Sequence, residues 1–332
     1  MNIEAFFDKD MTAVLKGIAI LFMIMHHCLI PDFYDYPPDF LHNGLIVHVM
    51  MGMKICVGLF TFIIGYGYAF CSKRTLSYGF KHIRTLVVKY WILLFLIFIP
   101  VAVSEGYHLD IDDVVLEMFG LKWNLNCASW YVSFYIFIMI LLPLIANIID
   151  KNEVKNSVLL ILLCGIVATF LGLFKNVFAD AFQRCFFYLP LVIVGYVVAK
   201  LNLLNKIAIR NKHLVYLLLF IVIGVRCAVS ALKGFSLDIL CVPLFIYCVT
   251  VVFKNLSLRS LKGLLSSLGK VSLYMWFLHA VFYSVAVRSV FAKYILWPNN
   301  LLVSFMLVVI LSYFFANLCK QIENKLKPLK LT

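Results

Sequence analysis

Charged side chains are scarce in this sequence. Only 14% of its 332 residues are Asp, Glu, Lys or Arg, whereas 64% are hydrophobic. A water-soluble domain carries about 25% charged residues, so the composition excludes that class of protein. The sequence also lacks a CxxC pair, a His/Cys spacing that suits zinc, and any linker rich in Pro, Gly or Ser. We therefore expect one domain over residues 1–332 and no metal site.

Long apolar runs recur along the whole chain instead, many of them near the ~20 residues that cross a bilayer as a helix. They lack the alternation of barrel strands, and backbone groups in lipid must be bonded internally, so helices are expected. The predicted fold is an all-α, polytopic membrane bundle of about ten helices. These lie at residues 11–31, 47–71, 84–104, 129–149, 156–174, 183–200, 213–232, 236–254, 271–292 and 300–319.

The few charges are unevenly distributed. Lys and Arg number 29 against 16 acidic residues, a net charge of +13. The basic residues cluster in alternate connections, around residues 73–84, 200–212, 254–270 and 320–330, which the positive-inside rule places in the cytoplasm. The opposite connections carry Asp32, Asp35, Asp39 and the acids of residues 105–117. Both termini are therefore expected in the cytoplasm, and no nucleic-acid partner is expected because no such motif accompanies the basic excess.

The first apolar run contains Lys16 and His27, eleven residues apart. Eleven helical residues make about three turns, so the two side chains share a face, roughly 16 Å apart along the axis. His26 points about 80° away from that face. Ionisable groups inside a bilayer are costly and by default indicate a functional site. The alternative is a lysine that reaches the cytoplasmic surface and a histidine near the outer headgroups.

Lys81 and Arg84 form a second candidate site at the start of the third predicted helix. They are three residues apart, so on a helix they face the same way. Lysine and arginine bind phosphate by charge and directed donors, so the pair suits a phosphate-bearing ligand that arrives from the cytosol. An ordinary cytoplasmic anchor is the alternative.

Two groups of polar and aromatic residues lie later in the chain. Ser129 and Trp130 follow the acidic loop, where an aromatic face can stack on a sugar ring or simply belong to the interfacial aromatic belt. Tyr274 and His279 lie in the ninth predicted helix, with His279 about 12 Å from its start. A histidine at that depth is either hydrogen-bonded in the core or part of the site.

The longest hydrophilic stretch runs from Ser104 to Cys127. Long loops in compact proteins are often functional, so we expect a short helix near 112–119 and a cap over an outward-facing cavity; a solvated loop is the alternative. Cys28 and Cys127 are both expected near the outer face. A disulfide between them is one interpretation, but buried thiols that pack as small apolar side chains are favoured.

These segments together resemble the acyltransferase-3 family of integral-membrane O-acyltransferases. The sequence departs from the family pattern in two places, because Lys16 stands where arginine is usual and Ile64 where serine is common. Some members carry an extra soluble domain, which this sequence lacks, so direct transfer or a separate partner is expected. The resemblance rests on Lys16 with His27, Lys81 with Arg84, and the runs 62–66, 129–131 and 274–279.

The resemblance implies a membrane O-acetyltransferase that takes acetyl groups from cytosolic acetyl-CoA and places them on a sugar hydroxyl of a cell-surface or lipid-linked glycan. His27 and Lys16 are the expected catalytic residues. His27 is the general base, since histidine changes protonation near neutral pH, and Lys16 orients CoA or balances charge; an acetyl-histidine intermediate fits the same residues. The expected CoA-binding residues are Lys16, Lys81 and Arg84, and the expected acceptor-binding residues are Ser129, Trp130, Tyr274 and His279.

The expected surroundings of the enzyme are the bacterial cytoplasmic membrane, its lipids and glycan-assembly enzymes. The sequence alone does not identify the acceptor glycan, the acyl chain or the oligomeric state. The rival function is a transporter or flippase of a glycan or small solute, which ten helices and an intramembrane lysine also fit. The absence of a convincing inverted repeat argues against it.

Overall fold

The computed structural model describes residues 5–28, 43–209, 211–229, 237–256, 258–282, 294–295 and 300–326. Every regular element within these ranges is helical, so the predicted all-α class is confirmed. The α-helices are α1 (Lys9–His27), α2 (Gly44–Gly52), α3 (Ile55–Ala69), α4 (Leu76–Leu93), α5 (Ile99–Ser104), α6 (Ile111–Met118), α7 (Trp130–Ile149), α8 (Glu153–Leu171), α9 (Val177–Lys200), α10 (Leu203–Lys206), α11 (Lys212–Val229), α12 (Asp238–Asn255), α13 (Arg259–Lys270), α14 (Ser272–Leu278) and α15 (Leu301–Leu326).

Nine spans in the described part of the chain are long and apolar enough to cross a bilayer: α1, α2 with α3, α4 with α5, and α7, α8, α9, α11, α12 and α15. A tenth is reached if α13 and α14 count as one span, bent by 64°. The predicted polytopic bundle is therefore confirmed. Parts of the predicted segments, 29–31, 230–232, 236 and 283–292, lie outside the described residues, as do Asp32, Asp35, Asp39, Arg210, Lys327 and Lys330.

Ion pairs and a hydrogen bond between distant segments show which connections lie at the same end of the bundle. Asp150, after α7, lies 2.9 Å from Arg74 before α4 and 3.2 Å from Lys200 at the end of α9. Lys254, at the end of α12, donates to the backbone oxygen of Phe6 over 2.9 Å. We call this the basic end of the bundle. The opposite end, which carries the acids of residues 105–117, is the acidic end.

Glycines let several pairs of helices touch along their backbones. A Cβ atom on Gly17 of α1 would collide with the carbonyl oxygen of Leu265 in α13, and one on Gly269 with that of Ala13. Gly65 of α3 meets α9 in the same way. Small residues at a crossing allow close van der Waals packing, which drives helix association in membranes. These crossings hold α1 and α9, two of the helices that contribute residues to the candidate site.

The helices are interrupted at three places that the apolar pattern does not predict. The second span breaks at Met53–Lys54, between α2 and α3. The third span contains a π-helical turn over Leu94–Phe98 before α5. The sequence pattern predicts a basic loop between α12 and the ninth segment, but α13 occupies it because Leu265, Leu268 and Gly269 are buried on one face. The described part of the ninth predicted segment, 271–282, contains α14, which passes into a 3₁₀ turn at His279.

All ten cysteines lie in the described residues and none forms a disulfide. The pairing of Cys28 with Cys127 that the sequence allows is therefore absent. Burial raises the pKa of the Cys127 thiol to about 12, so this side chain is protonated at neutral pH. The favoured interpretation, thiols packed among apolar side chains, fits this environment.

Candidate active site

A cavity of about 430 Å³ lies at the acidic end of the bundle. It is lined by the end of α1, the break between α2 and α3, the start of α7 and the first half of α9. Its polar lining includes two imidazoles, two cationic side chains, one amide and one phenol: His26, His27, Lys54, Arg184, Gln183 and Tyr188. No carboxylate of the described residues lines this cavity.

The two histidines that the sequence singles out are in direct contact at this cavity. His27, the last residue of α1, places Nδ1 2.7 Å from Nε2 of His279. Their rings are stacked, with centroids 4.9 Å apart and planes 7° from parallel. His279 is completely buried, whereas His27 lines the cavity. Sequence reasoning placed both residues in one site without predicting that they bond to each other.

The backbone assigns the tautomers of this pair. His279 Nδ1 lies 3.1 Å from the carbonyl oxygen of Met275, so Nδ1 carries the hydrogen. A neutral imidazole has a single N–H, and His279 Nε2 is therefore an acceptor. His27 Nδ1 must then donate the 2.7 Å bond, which leaves the lone pair of His27 on Nε2. The arrangement gives His27 the form that a general base requires.

His26 has a different environment. Its Nδ1 lies 3.2 Å from the carbonyl oxygen of Met50 in α2, so the ring donates to the backbone. The His26 ring is tilted by 42° from that of His27, with centroids 5.5 Å apart. Both rings line the cavity, but the second imidazole bonds to His27. This difference favours His27 over His26 as the base.

Aromatic side chains form one wall of the cavity. Trp130 stacks on Tyr188 of α9 with ring centroids 5.3 Å apart. Trp276 of α14 also lines the cavity, and its Nε1 donates to the carbonyl oxygen of Ala128 over 3.3 Å. The structure thus brings Trp130, a residue that the sequence singles out, into the same cavity as His27.

Ser129 points away from the cavity, into the loop that precedes α7. Its hydroxyl lies 3.4 Å from Oε2 of Glu117 and 3.2 Å from the carbonyl oxygen of Lys122. Glu117 in α6 is 1% exposed and accepts a bond from the backbone N–H of Leu125. Burial raises the pKa of the Glu117 carboxyl to about 8. The predicted helix near 112–119 is confirmed as α6. The contact of Ser129 with Glu117 connects α6 to the start of α7.

Comparison with known proteins decides what kind of molecule carries this cavity. The profile of the acyltransferase-3 family, described as an acyltransferase domain, matches residues 12–317, nearly the whole chain. The chain belongs to the acyltransferase-3 family. It is therefore a membrane acyltransferase, and the rival interpretation as a transporter without chemistry is not supported. No curated protein and no solved structure matches the chain.

In this acyltransferase the predicted CoA-binding residues lie away from the cavity. Lys81 and Arg84 are exposed near the start of α4, and neither forms an ion pair in the ranges the structure describes. Lys16 is half-buried on α1, next to the glycine crossing with α13 and roughly 16 Å along the axis from His27. These three cations therefore lie toward the basic end.

Tyr274, predicted to bind the acceptor, is also remote from the cavity. Its hydroxyl donates to Oε2 of Glu323 in α15 over 2.9 Å. Lys89 of α4 lies 3.0 Å from the same oxygen and 5.2 Å from the centroid of the Tyr274 ring. The structure places Tyr274 in a polar cluster that joins α4, α14 and α15.

Sequence reasoning missed the two cationic residues of the cavity, Lys54 and Arg184. Both lie in apolar runs, where an ionisable side chain is costly, and that is the signal that marks them. Lys54 is the one Asp, Glu, Lys or Arg residue between positions 47 and 71. Arg184 lies with its guanidinium carbon 4.1 Å from the ring centroid of Trp123, in the loop after α6.

Proposed function

We propose that this acyltransferase transfers an acetyl group from cytosolic acetyl-CoA to a sugar hydroxyl of a cell-surface or lipid-linked glycan. The observation that carries the proposal is the 2.7 Å bond between His27 and His279 in the wall of the cavity. Family membership supplies the acyl-transfer chemistry. The positive-inside rule supports a cytosolic basic end and a cavity on the outer side. The proposed location is a bacterial cytoplasmic membrane.

His27 serves as the general base. Its Nε2 takes the proton from the sugar hydroxyl while the oxygen attacks the thioester carbonyl carbon. The C–O bond forms, the C–S bond breaks, and the departing thiolate receives the proton from His27 as CoA leaves. His279 stays neutral throughout and accepts the Nδ1–H of His27, which stabilises the imidazolium formed in the transition state.

The donor approaches from the basic end. Lys81 and Arg84 are exposed there, and their charges suit the phosphates of CoA. A pantetheine arm on the order of 15 Å long matches the separation of about 16 Å between Lys16 and His27 along α1. Lys16 then lies beside the arm and balances charge on the donor.

The acceptor occupies the cavity at the acidic end. Trp130 and Tyr188 offer stacked aromatic faces of the kind on which a sugar ring packs. Neither Ser129 nor Tyr274 lines this cavity, so we assign acceptor contacts to Trp130 and an indirect role to His279. Glycan-assembly enzymes are the expected source of the acceptor, and membrane lipids surround both.

The test compares surface glycans of cells that express the wild type, His27→Ala, His108→Ala or an empty vector, by mass spectrometry. His108 is an exposed histidine at the same end of the bundle and is the matched control. We expect an added acetyl mass, 42 Da per group, in the wild type and the His108→Ala strain. It should be lost with His27→Ala, because removing a general base costs about 10²–10⁴-fold in rate.

Protein level in the membrane is measured in the same cells. Loss of acetyl groups with His27→Ala at normal protein level supports the assignment. Retention of acetyl groups in that strain would contradict the role of His27. A further strain expresses His26→Ala, and loss of acetyl groups in that strain but not with His27→Ala would transfer the role to His26.

A further inference from the structure

The cavity at the acidic end has a positively charged lining that general base catalysis does not require. Lys54 and Arg184 both contribute to it, together with the amide of Gln183. Neither cation forms an ion pair of 4 Å or less with any carboxylate of the described residues. The nearest acid on α9 is Asp180, an exposed residue one turn before Arg184. Asp238 also acts on the charge of Lys54, but this carboxylate lies 2.6 Å from Arg226, so the group as a whole stays positive. Net positive charge beside the imidazole pair indicates an anionic ligand.

The positions of the two cations argue against a merely interfacial role. Lys54 lies at the break between α2 and α3, and the residues that follow it, Cys56 and Val57, line the same cavity. Arg184 is half-buried, with its guanidinium carbon 4.1 Å from the Trp123 ring centroid and 5.8 Å from that of Trp130. Stacking on two indoles restricts the guanidinium while its N–H groups stay available at the edge.

We propose that Lys54 and Arg184 form an anion subsite that holds a carboxylate or phosphate group of the acceptor beside His27. This inference rests on the proposed function. It restricts the acceptor of the enzyme to acidic glycans. A charged acceptor group between an ammonium and a guanidinium gains charge-assisted hydrogen bonds from both. Trp130 lies near the anion subsite and the base, because its ring centroid is 5.8 Å from the guanidinium carbon of Arg184 and it lines the same cavity as His27.

Binding is tested apart from catalysis, in purified His27→Ala protein, so that failure of acetyl transfer does not decide the result. The probes are an oligosaccharide that contains a hexuronic acid, the same oligosaccharide with its carboxyl group reduced to an alcohol, and a glycosyl phosphate. Affinity is measured from the rise in melting temperature with probe concentration, since a ligand that binds the native state stabilises it.

The protein should bind at least one anionic probe more tightly than the neutral one. Lys54→Gln and Arg184→Gln should each weaken that binding on the order of tenfold, as expected for one charged hydrogen-bond partner. Lys175→Gln is the control, because Lys175 is exposed at the same end but does not line the cavity. A response to the hexuronic acid alone identifies a sugar carboxylate, and one to the glycosyl phosphate alone identifies a phosphate.

Equal affinity for anionic and neutral probes overturns the subsite, as does unchanged anion binding in the Lys54→Gln/Arg184→Gln double variant. No binding of any of the three probes to a folded protein also overturns it. Anion binding that depends on both cations, in a protein that acetylates no glycan, would keep the subsite and refute the proposed function instead. The two claims are thus separable.

Discussion

At the scale of single residues, the chemistry depends on the order of hydrogen bonds through two imidazoles. The carbonyl oxygen of Met275 fixes the hydrogen of His279 on Nδ1, and His279 in turn fixes the hydrogen of His27 on Nδ1. The lone pair of His27 is therefore on Nε2. His279 acts through His27, so it is a positioning residue in this mechanism.

The positioning role is tested with His279→Phe and His279→Gln. Phenylalanine fills the space of the ring but cannot accept the Nδ1–H of His27, so we expect kcat to fall about 100-fold or more with little change in KM. Glutamine can accept that hydrogen through Oε1 and should retain more activity. Steady-state kinetics in proteoliposomes measures both constants. Equal loss in the two variants, or a change confined to KM, would favour the acceptor-lining role predicted from sequence.

Glu117 predicts a pH dependence of stability. Burial raises the pKa of its carboxyl from 4.5 to about 8, so the folded protein holds a proton that the unfolded chain releases between these values. The contribution of Glu117 to the free energy of unfolding should therefore be greatest below pH 4.5 and should fall as the pH rises toward 8, by at most about 1.4 kcal/mol per pH unit. Above pH 8 this contribution is lost.

Melting temperatures of wild type, Glu117→Gln and Asp112→Asn across pH 5–9 measure this effect. Glu117→Gln should be less sensitive to pH, because its amide does not ionise. Asp112 is an exposed acid on the same helix, so Asp112→Asn should follow the wild type. Parallel profiles for wild type and Glu117→Gln would show that Glu117 does not titrate in this range.

At the scale of helices, glycine crossings set how closely neighbours approach. Gly269 and Gly263 lie on the same helix, α13, but only Gly269 meets a backbone, at Ala13 of α1; nothing described lies within 4 Å of a Cβ built on Gly263. We expect Gly269→Ala to destabilise the protein by about 1–3 kcal/mol through overpacking. Gly263→Ala should be neutral or stabilising by up to about 1 kcal/mol. Melting temperatures of the two purified variants measure the difference, and equal values would contradict the crossing.

Most helices could be predicted because a membrane span needs a long apolar run, and such runs can be identified in a single sequence. The interruptions of the helices could not be predicted in this way. The break before Lys54 lies inside a continuous apolar run, so the pattern contains no signal for it. The segment of α13 is basic, as is typical of a cytoplasmic loop. Its packing on α1 depends on Gly17 and Gly269, which are far apart in the sequence.

At the scale of the whole molecule, the sequence predicted part of the site. His27, His279 and Trp130 meet at one cavity although more than 250 residues separate the first two, and the family resemblance supplied that grouping. Their contact, and the presence of Lys54 and Arg184, depend on how α2, α9 and α14 pack, which no local pattern encodes. Ser129 and Tyr274 lie elsewhere because their hydroxyl groups bond to Glu117 and Glu323.

The helix α1 links the two ends of the molecule. Its 19 residues from Lys9 to His27 span about 28 Å, with the basic end at one terminus and the imidazole pair at the other. In the proposed reaction neither CoA nor glycan crosses that distance; only an acyl group changes sides. Cleavage of a thioester made in the cytosol thereby drives formation of an ester bond on the outer side of the membrane. Modification of the envelope then draws on cytosolic metabolism without exporting the cofactor.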